Sequence, residues 1–348
     1  MKAIALISGG LDSTLAAKLI ADQGVEVHAL HFLTVFSPGL PSEGRKTPGE
    51  RAAEALGIPI HFMDHTQTMI DLLKNPPHSF GAHLNPCIDC HMAMLRKASS
   101  LMASIGANFV LTGEVLGQRP MSQNRQALSI IDAGAGLPGL IVRPLCARCL
   151  DPTIPEKEGW IDREKLLDFR GRSRKPQMEL ARRLDITKYP SPAGGCLLTD
   201  PGFSRRLKDL LDHGDFSLAD VELLKVGRHL RLSPRTKLVI GRNEPDCLAL
   251  ETLVLPNDLV LETADVTGPL GVLRGDPAIP HLPGSRDRGT AGPVLINQAA
   301  SILARYSRLR SEASARISVR TGLAGEPRFL TVPPASPVEV EPRRVIDD

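Results

Sequence analysis

Two groups of residues in this 348-residue chain have the types and spacing to do covalent chemistry. The first is Ser8-Gly9-Gly10-Leu11-Asp12-Ser13. Lys2 to Ile7 reads as a buried strand, and Leu15, Ala16, Leu19 and Ile20 fall on one helix face, so the hexapeptide joins a strand to a helix. A loop so placed turns backbone N–H groups and the positive end of the helix toward an anion, and its glycines allow φ > 0 and close approach to phosphate oxygens. Ser8 and Ser13 would add hydroxyl donors, and Asp12 would orient Mg²⁺ on a pyrophosphate. The plainer reading is a tight turn with a serine N-cap. No Gly-Lys-Ser/Thr sequence closes the loop, which disfavours γ-phosphate transfer and favours attack at an α-phosphate.

The second group is six cysteines: Cys87, Cys90, Cys146, Cys149, Cys196 and Cys247. Four of them form two C-x-x-C pairs, a spacing typical of metal or redox sites. Cys87 and Cys90 precede a helix expected over Met92 to Ile105, where the helix dipole would lower thiol pKa values. Three arrangements are open: Cys87 and Cys90 as nucleophilic or soft-metal-binding thiolates; a tetrahedral zinc site made by the two pairs, which leaves Cys196 idle; or a buried pair with an inert core thiol. Cys247 reads as a helix-core thiol.

The hexapeptide resembles the signature of the PP-loop, or adenine-nucleotide alpha-hydrolase, superfamily, which includes tRNA thiolases, GMP and NAD synthetases and queuosine-precursor synthases. That resemblance implies a doubly wound sheet with ATP at the C-terminal strand ends, His31 and Phe32 near adenine, and Thr112, Gly113 and Glu114 on the other side of the nucleotide. Asn85-Pro-Cys87-Ile-Asp-Cys90 is similar to the element preceding the catalytic cysteine of tRNA thiolases, with Cys90 at the catalytic position. Ala193-Gly194-Gly195-Cys196 is similar to their second cysteine site. The resemblance implies sulfur transfer either by a persulfide passed between cysteines or by a four-iron four-sulfur cluster on Cys87, Cys90 and Cys196 with one iron open. Lys225 to Ser233 and Val239 to Glu244 resemble the RNA-binding domain of ribosome-quality-control factors. An RNA-capturing domain such as 4-thiouridine synthases carry before the loop has no counterpart in the seven residues that precede Ser8, and no rhodanese extension is evident.

Strands must position these groups. Val25 to Leu33, Ile58 to Met63, Phe109 to Thr112, Leu128 to Asp132 and Leu140 to Leu145 read as strands, alternating with helices at Leu11 to Gln23, Pro48 to Leu56 and Met92 to Ile105, the pattern of a doubly wound parallel sheet. The expected order is a PP-loop ATP-binding domain over 1–150 and a basic helical region over 151–222. A smaller α+β RNA-binding-like domain over 223–332 and a frayed tail over 333–348 would follow. Asp162 to Leu184 reads as helical, Tyr189 to Gly195 as a loop, His229 to Leu232, Lys237 to Gly241 and Leu259 to Thr263 as strands, and Gly292 to Leu309 as a helix.

With 42% hydrophobic residues the chain can bury a large core, and a formal net charge of +3 makes no case for nucleic acid by itself. Aromatics at 3% exclude a stacking platform for single strands. The local charge is more telling: Arg170, Arg172, Arg174, Lys175, Arg182 and Arg183 crowd the approach to Cys196, a pattern that suits phosphate contact better than a merely solvated face. No run nears the roughly 20 apolar residues of a membrane span, and no signal h-region opens the chain, so a cytoplasmic protein is expected. The expected function is ATP-dependent thiolation of a tRNA uridine, with ATP and Mg²⁺, tRNA, and sulfide or a cysteine desulfurase as sulfur donor. The rivals are a small-molecule PP-loop ligase with structural zinc, which would need no basic stretch, and an RNA-binding factor with a vestigial loop, against which Asp12 and Ser13 argue.

Overall fold

The computed structural model describes residues 1–37, 46–81, 83–187, 189, 195–213, 217–275 and 291–345. The chain divides into two units, Met1–Asp200 and Pro201–Asp348, so Cys196 and the basic stretch belong to the first.

The first unit holds β1 (Lys2–Leu6), α1 (Leu11–Ala21), β2 (Glu26–Leu33), α2 (Pro48–Leu56), β3 (Ile60–Asp64), α3 (Thr66–Lys74), α4 (Cys87–Ile105), β4 (Phe109–Leu111), α5 (Arg125–Ala135), β5 (Ile141–Val142), α6 (Ile154–Lys157) and α7 (Lys175–Arg183). Its five strands are all parallel in the order β3-β2-β1-β4-β5. Alternate residues of β1 point to opposite faces. Ala3 and Ala5 pack with Leu15 of α1, Ala53 of α2 and Leu180 of α7, while Ile4 packs with Leu95 of α4 and Ile131 of α5. Helices therefore cover both faces, the doubly wound architecture expected. Strand order reverses at β1/β4, which opens a crevice at the C-terminal strand ends.

Two expectations fail here. Leu128 to Asp132 is not a strand but the middle of α5. Its Leu-Ser-Ile-Ile run looks extended, yet Asn124 caps the helix by accepting from Ala127 N, Gly136 ends it at φ 73°, and Ala127, Leu128, Ile131 and Ala135 form one buried face. Asp162 to Leu184 is not one helix. Only a 3₁₀ turn at Arg163–Lys165 and α7 form, because Gly171 takes φ 81° and Pro176 is tolerated only in a first helical turn. The loop expected at Tyr189 to Gly195 lies mostly outside the described residues.

The second unit holds α8 (Pro201–Asp212), α9 (Leu218–Leu223), β6 (Arg228–Ser233), β7 (Thr236–Ile240), α10 (Glu244–Leu253), β8 (Leu259–Thr263), β9 (Gly271–Gly275), α11 (Ala291–Arg305), β10 (Ala315–Thr321), β11 (Arg328–Val332) and α12 (Pro337–Val340). Its sheet is antiparallel in the order β11-β10-β8-β9-β7-β6. Leu303 of α11 packs on one face with Leu238 and Ile317, and Leu223 and Leu250 pack on the other with Val239 and Val272. Residues 337–345 carry structure: Val340 is buried beside Val332, and Val345 N donates to His229 O. Cys247 sits in α10 against Leu250 and Val272, as a helix-core thiol should.

Candidate active site

Four successive strands of the first unit each deliver a piece of one edge. β1 runs into the Ser8–Ser13 loop. Gly9 has φ 81°, and a Cβ there would fall 2.2 Å from the Pro48 carbonyl carbon, so only glycine fits. Gly10, not a serine, is the N-cap of α1, and no side chain caps that helix end. The serines instead brace the loop: Ser13 Oγ donates to Gly10 O at 3.0 Å, Ser8 Oγ lies 3.3 Å from Ser13 Oγ, and Gly10 N donates to Ser8 Oγ at 3.3 Å. From β2, the buried His31 ring lies with Nδ1 2.7 Å from Ile7 O, fixing the strand just before the loop. Phe32 meets His65 edge-on at 5.4 Å.

After β4, Gly113 comes so close that a Cβ on it would sit 2.4 Å from Ser13 N. Its neighbours face elsewhere: Thr112 Oγ1 donates to Glu114 Oε2 at 3.0 Å, and Glu114 binds Arg143 at 2.9 Å and His91 at 2.8 Å. Burial raises the Glu114 carboxyl pKa, but Arg143 and His91 outweigh it and hold the group well below the usual carboxylate range. Arg143 in turn binds Asp132 at 2.7 Å.

Asp12 is held from one side. Its Oδ2 accepts from Gln118 Nε2 at 2.7 Å, Gln118 Oε1 accepts from the fully buried Gln177 at 2.8 Å, and Arg174 Nη2 lies 3.6 Å from the same Oδ2. Asp12 Oδ1 and Arg174 Nε are buried without a hydrogen-bond partner among the described residues. A buried carboxylate oxygen left bare beside an uncapped helix end suits a cation carried by a nucleotide.

The thiols gather on the same edge. α4 begins at Cys87, earlier than expected, so both Cys87 and Cys90 lie in its first turn. Asn85 Nδ2 donates to Cys87 Sγ at 3.3 Å, and Cys90 Sγ lies 3.7 Å from Nε2 of His65, the residue directly after β3. Cys196 is tied in because Leu197 N donates to Phe36 O at 2.9 Å, three residues beyond β2. The three sulfurs feel one another's charge: Cys87 and Cys196 both act on Cys90, and Cys87 acts on Cys196.

Their ionisation runs opposite to the expectation from the helix dipole. Burial pushes the Cys196 thiol up to about 11 and those of Cys87 and Cys90 upward too, since desolvating a thiolate outweighs a partial helix charge. His65 is lowered to about 4, first by burial and then by Lys97, and stands neutral beside Cys90. The four-thiolate zinc arrangement is not assembled. Cys146 Sγ donates to Glu114 O and Cys149 Sγ to Asp168 O, and among the described residues no three or more His, Cys, Asp or Glu side chains converge on one metal ion.

In the basic stretch, Arg174 faces Asp12, Arg182 pairs with Glu179 at 2.6 Å, and Arg170, Arg172, Lys175, Arg182 and Arg183 are exposed. Helix α7 carries the last three on the side away from Leu180 and Ala181, which enter the core. Sequence reasoning missed His65, Gln118 and Gln177. The strand-end rule would have marked His65; nothing local marks the two glutamines.

Residues 1–151 match the family model described as "Thiamine biosynthesis protein (ThiI)", and residues 227–284 match "NFACT protein RNA binding domain". Both resemblances read from the sequence are borne out over those spans. A probable tRNA sulfurtransferase of Acetivibrio thermocellus is 33% identical over 149 residues, 41% of this chain and 35% of that protein. The tRNA-specific 2-thiouridylase MnmA of Micrococcus luteus is 25% identical over 272 residues, 71% of this chain and 67% of that protein. The match thus spans about a third of the length of that sulfurtransferase. Among solved structures, a 4-thiouridine synthetase in complex with RNA and ATP is 27% identical over 41% of this chain and 36% of that one, at a TM-score of 0.34. No helix among the described residues is long and apolar enough to cross a membrane.

Proposed function

We propose that this chain is an ATP-dependent tRNA uridine thiolase. The observation that carries the reading is the shared edge: the phosphate loop after β1 and the thiols fastened beyond β2 and β3 stand at the C-terminal ends of one parallel sheet. The Ser8–Ser13 backbone and the bare Asp12 oxygen hold the triphosphate with its Mg²⁺, and Gln118, backed by Gln177, keeps Asp12 in place. A uridine carbonyl oxygen attacks the α-phosphate, pyrophosphate leaves, and sulfur displaces AMP from the activated carbon. The exposed arginines of α7 and the second unit engage the tRNA backbone.

Cys87, Cys90 and Cys196 suit a four-iron four-sulfur cluster, because each thiolate would hold its own iron and the three need not converge on one point. When bound, such a cluster supplies an open iron that binds sulfide. The second route is a persulfide on one thiolate resolved by another. Anaerobic purification with iron, sulfide and zinc analysis, paired with a tRNA thiolation assay, tests the reading. Iron and sulfide near four each per chain with thiolated tRNA as product are expected for the cluster; a colourless zinc protein overturns the cluster, and tRNA thiolation that survives Cys196→Ala overturns the sulfur route.

A further inference from the structure

Cys146 and Cys149 are the pair that the sulfur route leaves unused. Cys146 lies just beyond β5 and is the N-cap of a short 3₁₀ turn over Ala147–Cys149. Cys149 N donates to Cys146 O at 2.9 Å and closes a four-residue turn. Such a turn brings its end Cα atoms within about 7 Å, and a disulfide spans about 4.4–6.8 Å between Cα atoms. Side chains three positions apart in a 3₁₀ turn also eclipse one another. The sulfurs are near enough for the charge of Cys149 to act on Cys146. Among the described residues no set of three or more His, Cys, Asp or Glu gathers around them for a metal ion.

Each thiol fastens a segment that shapes the phosphate loop. Cys146 is fully buried; its Sγ donates to Glu114 O at 3.3 Å, and the Leu116 backbone N–H bonds the same sulfur. It therefore clasps the turn whose Gly113 presses against Ser13 N. Cys149 is half-buried, and its Sγ donates to Asp168 O at 3.2 Å. The chain after Asp168 is bonded to the same turn, Phe169 N donating to Leu145 O at 2.9 Å and Gly171 N to Leu116 O at 2.8 Å. It then reaches Arg174 and Gln177, the supports of Asp12.

A disulfide has no S–H to donate. To join, both sulfurs turn away from Glu114 O and Asp168 O, and a buried carbonyl left without its donor is costly, so the turn after Gly113 shifts to recover one. We propose that Cys146 and Cys149 are a reversible redox modification site, at which a disulfide loosens the nucleotide site that the two thiols hold in shape. The coupling rests on the ATP reading above. The oxidant is a low-molecular-weight disulfide. Cys149, the more accessible thiol, attacks as thiolate; the small disulfide's S–S bond breaks and one thiolate leaves. Cys146, pushed up to about 11 by burial, keeps its proton until that mixed disulfide forms. It then attacks Cys149 Sγ and expels the second small thiolate. The two protons lost by the protein go to the two released thiolates, so two protein thiols are oxidised as one small disulfide is reduced.

The test poises the full chain between reduced and oxidised glutathione, maps disulfides by peptide mass spectrometry and measures ATP affinity by calorimetry. A peptide carrying the Cys146–Cys149 bond is expected, with ATP affinity about fivefold weaker, the size of one lost hydrogen bond. Reduction should restore it. Cys149→Ser keeps a hydroxyl donor for Asp168 O but cannot close the bond, so its ATP affinity should equal that of the reduced chain at both poises. Oxidation of other thiols without this bond overturns the proposal, as does a Cys149→Ser chain that still loses ATP affinity when oxidised; the thiolase reading then stands. A chain that closes the bond with unchanged ATP affinity overturns the coupling. A reduced chain that binds no ATP overturns the nucleotide reading, and the coupling with it.

Discussion

The phosphate loop and the thiol pocket share a sheet edge but are made of opposite materials. The loop is backbone: Gly10 is an uncapped N-cap, and Gly9 at φ 81° and Gly113 pressed against Ser13 N are positions where a side chain would intrude. The pocket is side chain: sulfurs steered by Asn85, His65 and a strap from Phe36, in surroundings that resist ionisation. A backbone site is fixed by local sequence and fails by steric displacement. A side-chain site is assembled from distant segments and fails by losing one group.

The sharpest separation should come from Cys196→Ala, which is expected to reduce tRNA thiolation to background while ATP affinity by calorimetry stays within about twofold, since the variant removes one sulfur and moves no backbone. A parallel loss of ATP binding would break the comparison.

Glu114→Gln tests the network under both regions. Removing one member of a buried charge set should cost about 3–5 kcal/mol by chemical denaturation at pH 7. Glu114 is held below its unfolded pKa of about 4.3. Its contribution is therefore fully present above that pH and declines as pH falls further, because the unfolded chain then takes up a proton that the folded chain refuses. The gap between native and variant should narrow below about pH 4; a constant gap sinks the assignment.

Gly113→Ala sharpens the backbone half. Its Cβ has no room beside Ser13 N and Asp12 C, so the loop must shift, at about 1–3 kcal/mol, seen as an ATP affinity lowered roughly 10- to 100-fold. Thiol reactivity, read by alkylation, should not change. Gln177→Leu gives the smallest effect: Gln118 loses its support but still reaches Asp12, and the affinity for ATP with Mg²⁺ should drop about fivefold, for about 1 kcal/mol. An unchanged Mg²⁺ dependence would leave the glutamines a packing role only.

The same contrast decides what could be read from the sequence. The loop, its flanking strand and helix, and α2 at Pro48–Leu56 were legible because capping, glycine and apolar spacing all act within a few residues; Thr47 and Glu50 form the capping box that starts α2. Leu128 to Asp132 misled because an apolar β-branched run suits strand and helix alike, and Asn124 decided the matter from outside it. Resemblance alone singled out Cys87, Cys90 and Cys196 as a set, and their raised pKa values gave no sequence signal, because burial is a property of the folded unit. Gln177 gave no signal, being one polar residue on a helix whose partner lies 59 positions earlier.

The bond from Leu197 N to Phe36 O also sets an order in time. Every strand of the parallel sheet has been synthesised by Val142, whereas Cys196 is added only near the end of the first unit. At about 5–20 residues per second, about three to ten seconds separate Val142 from Cys196, and α7, whose Gln177 backs Asp12, is made within that interval. On the proposed function, a chain arrested between Arg183 and Cys196 holds the phosphate loop and the supports of Asp12 yet lacks the third thiol.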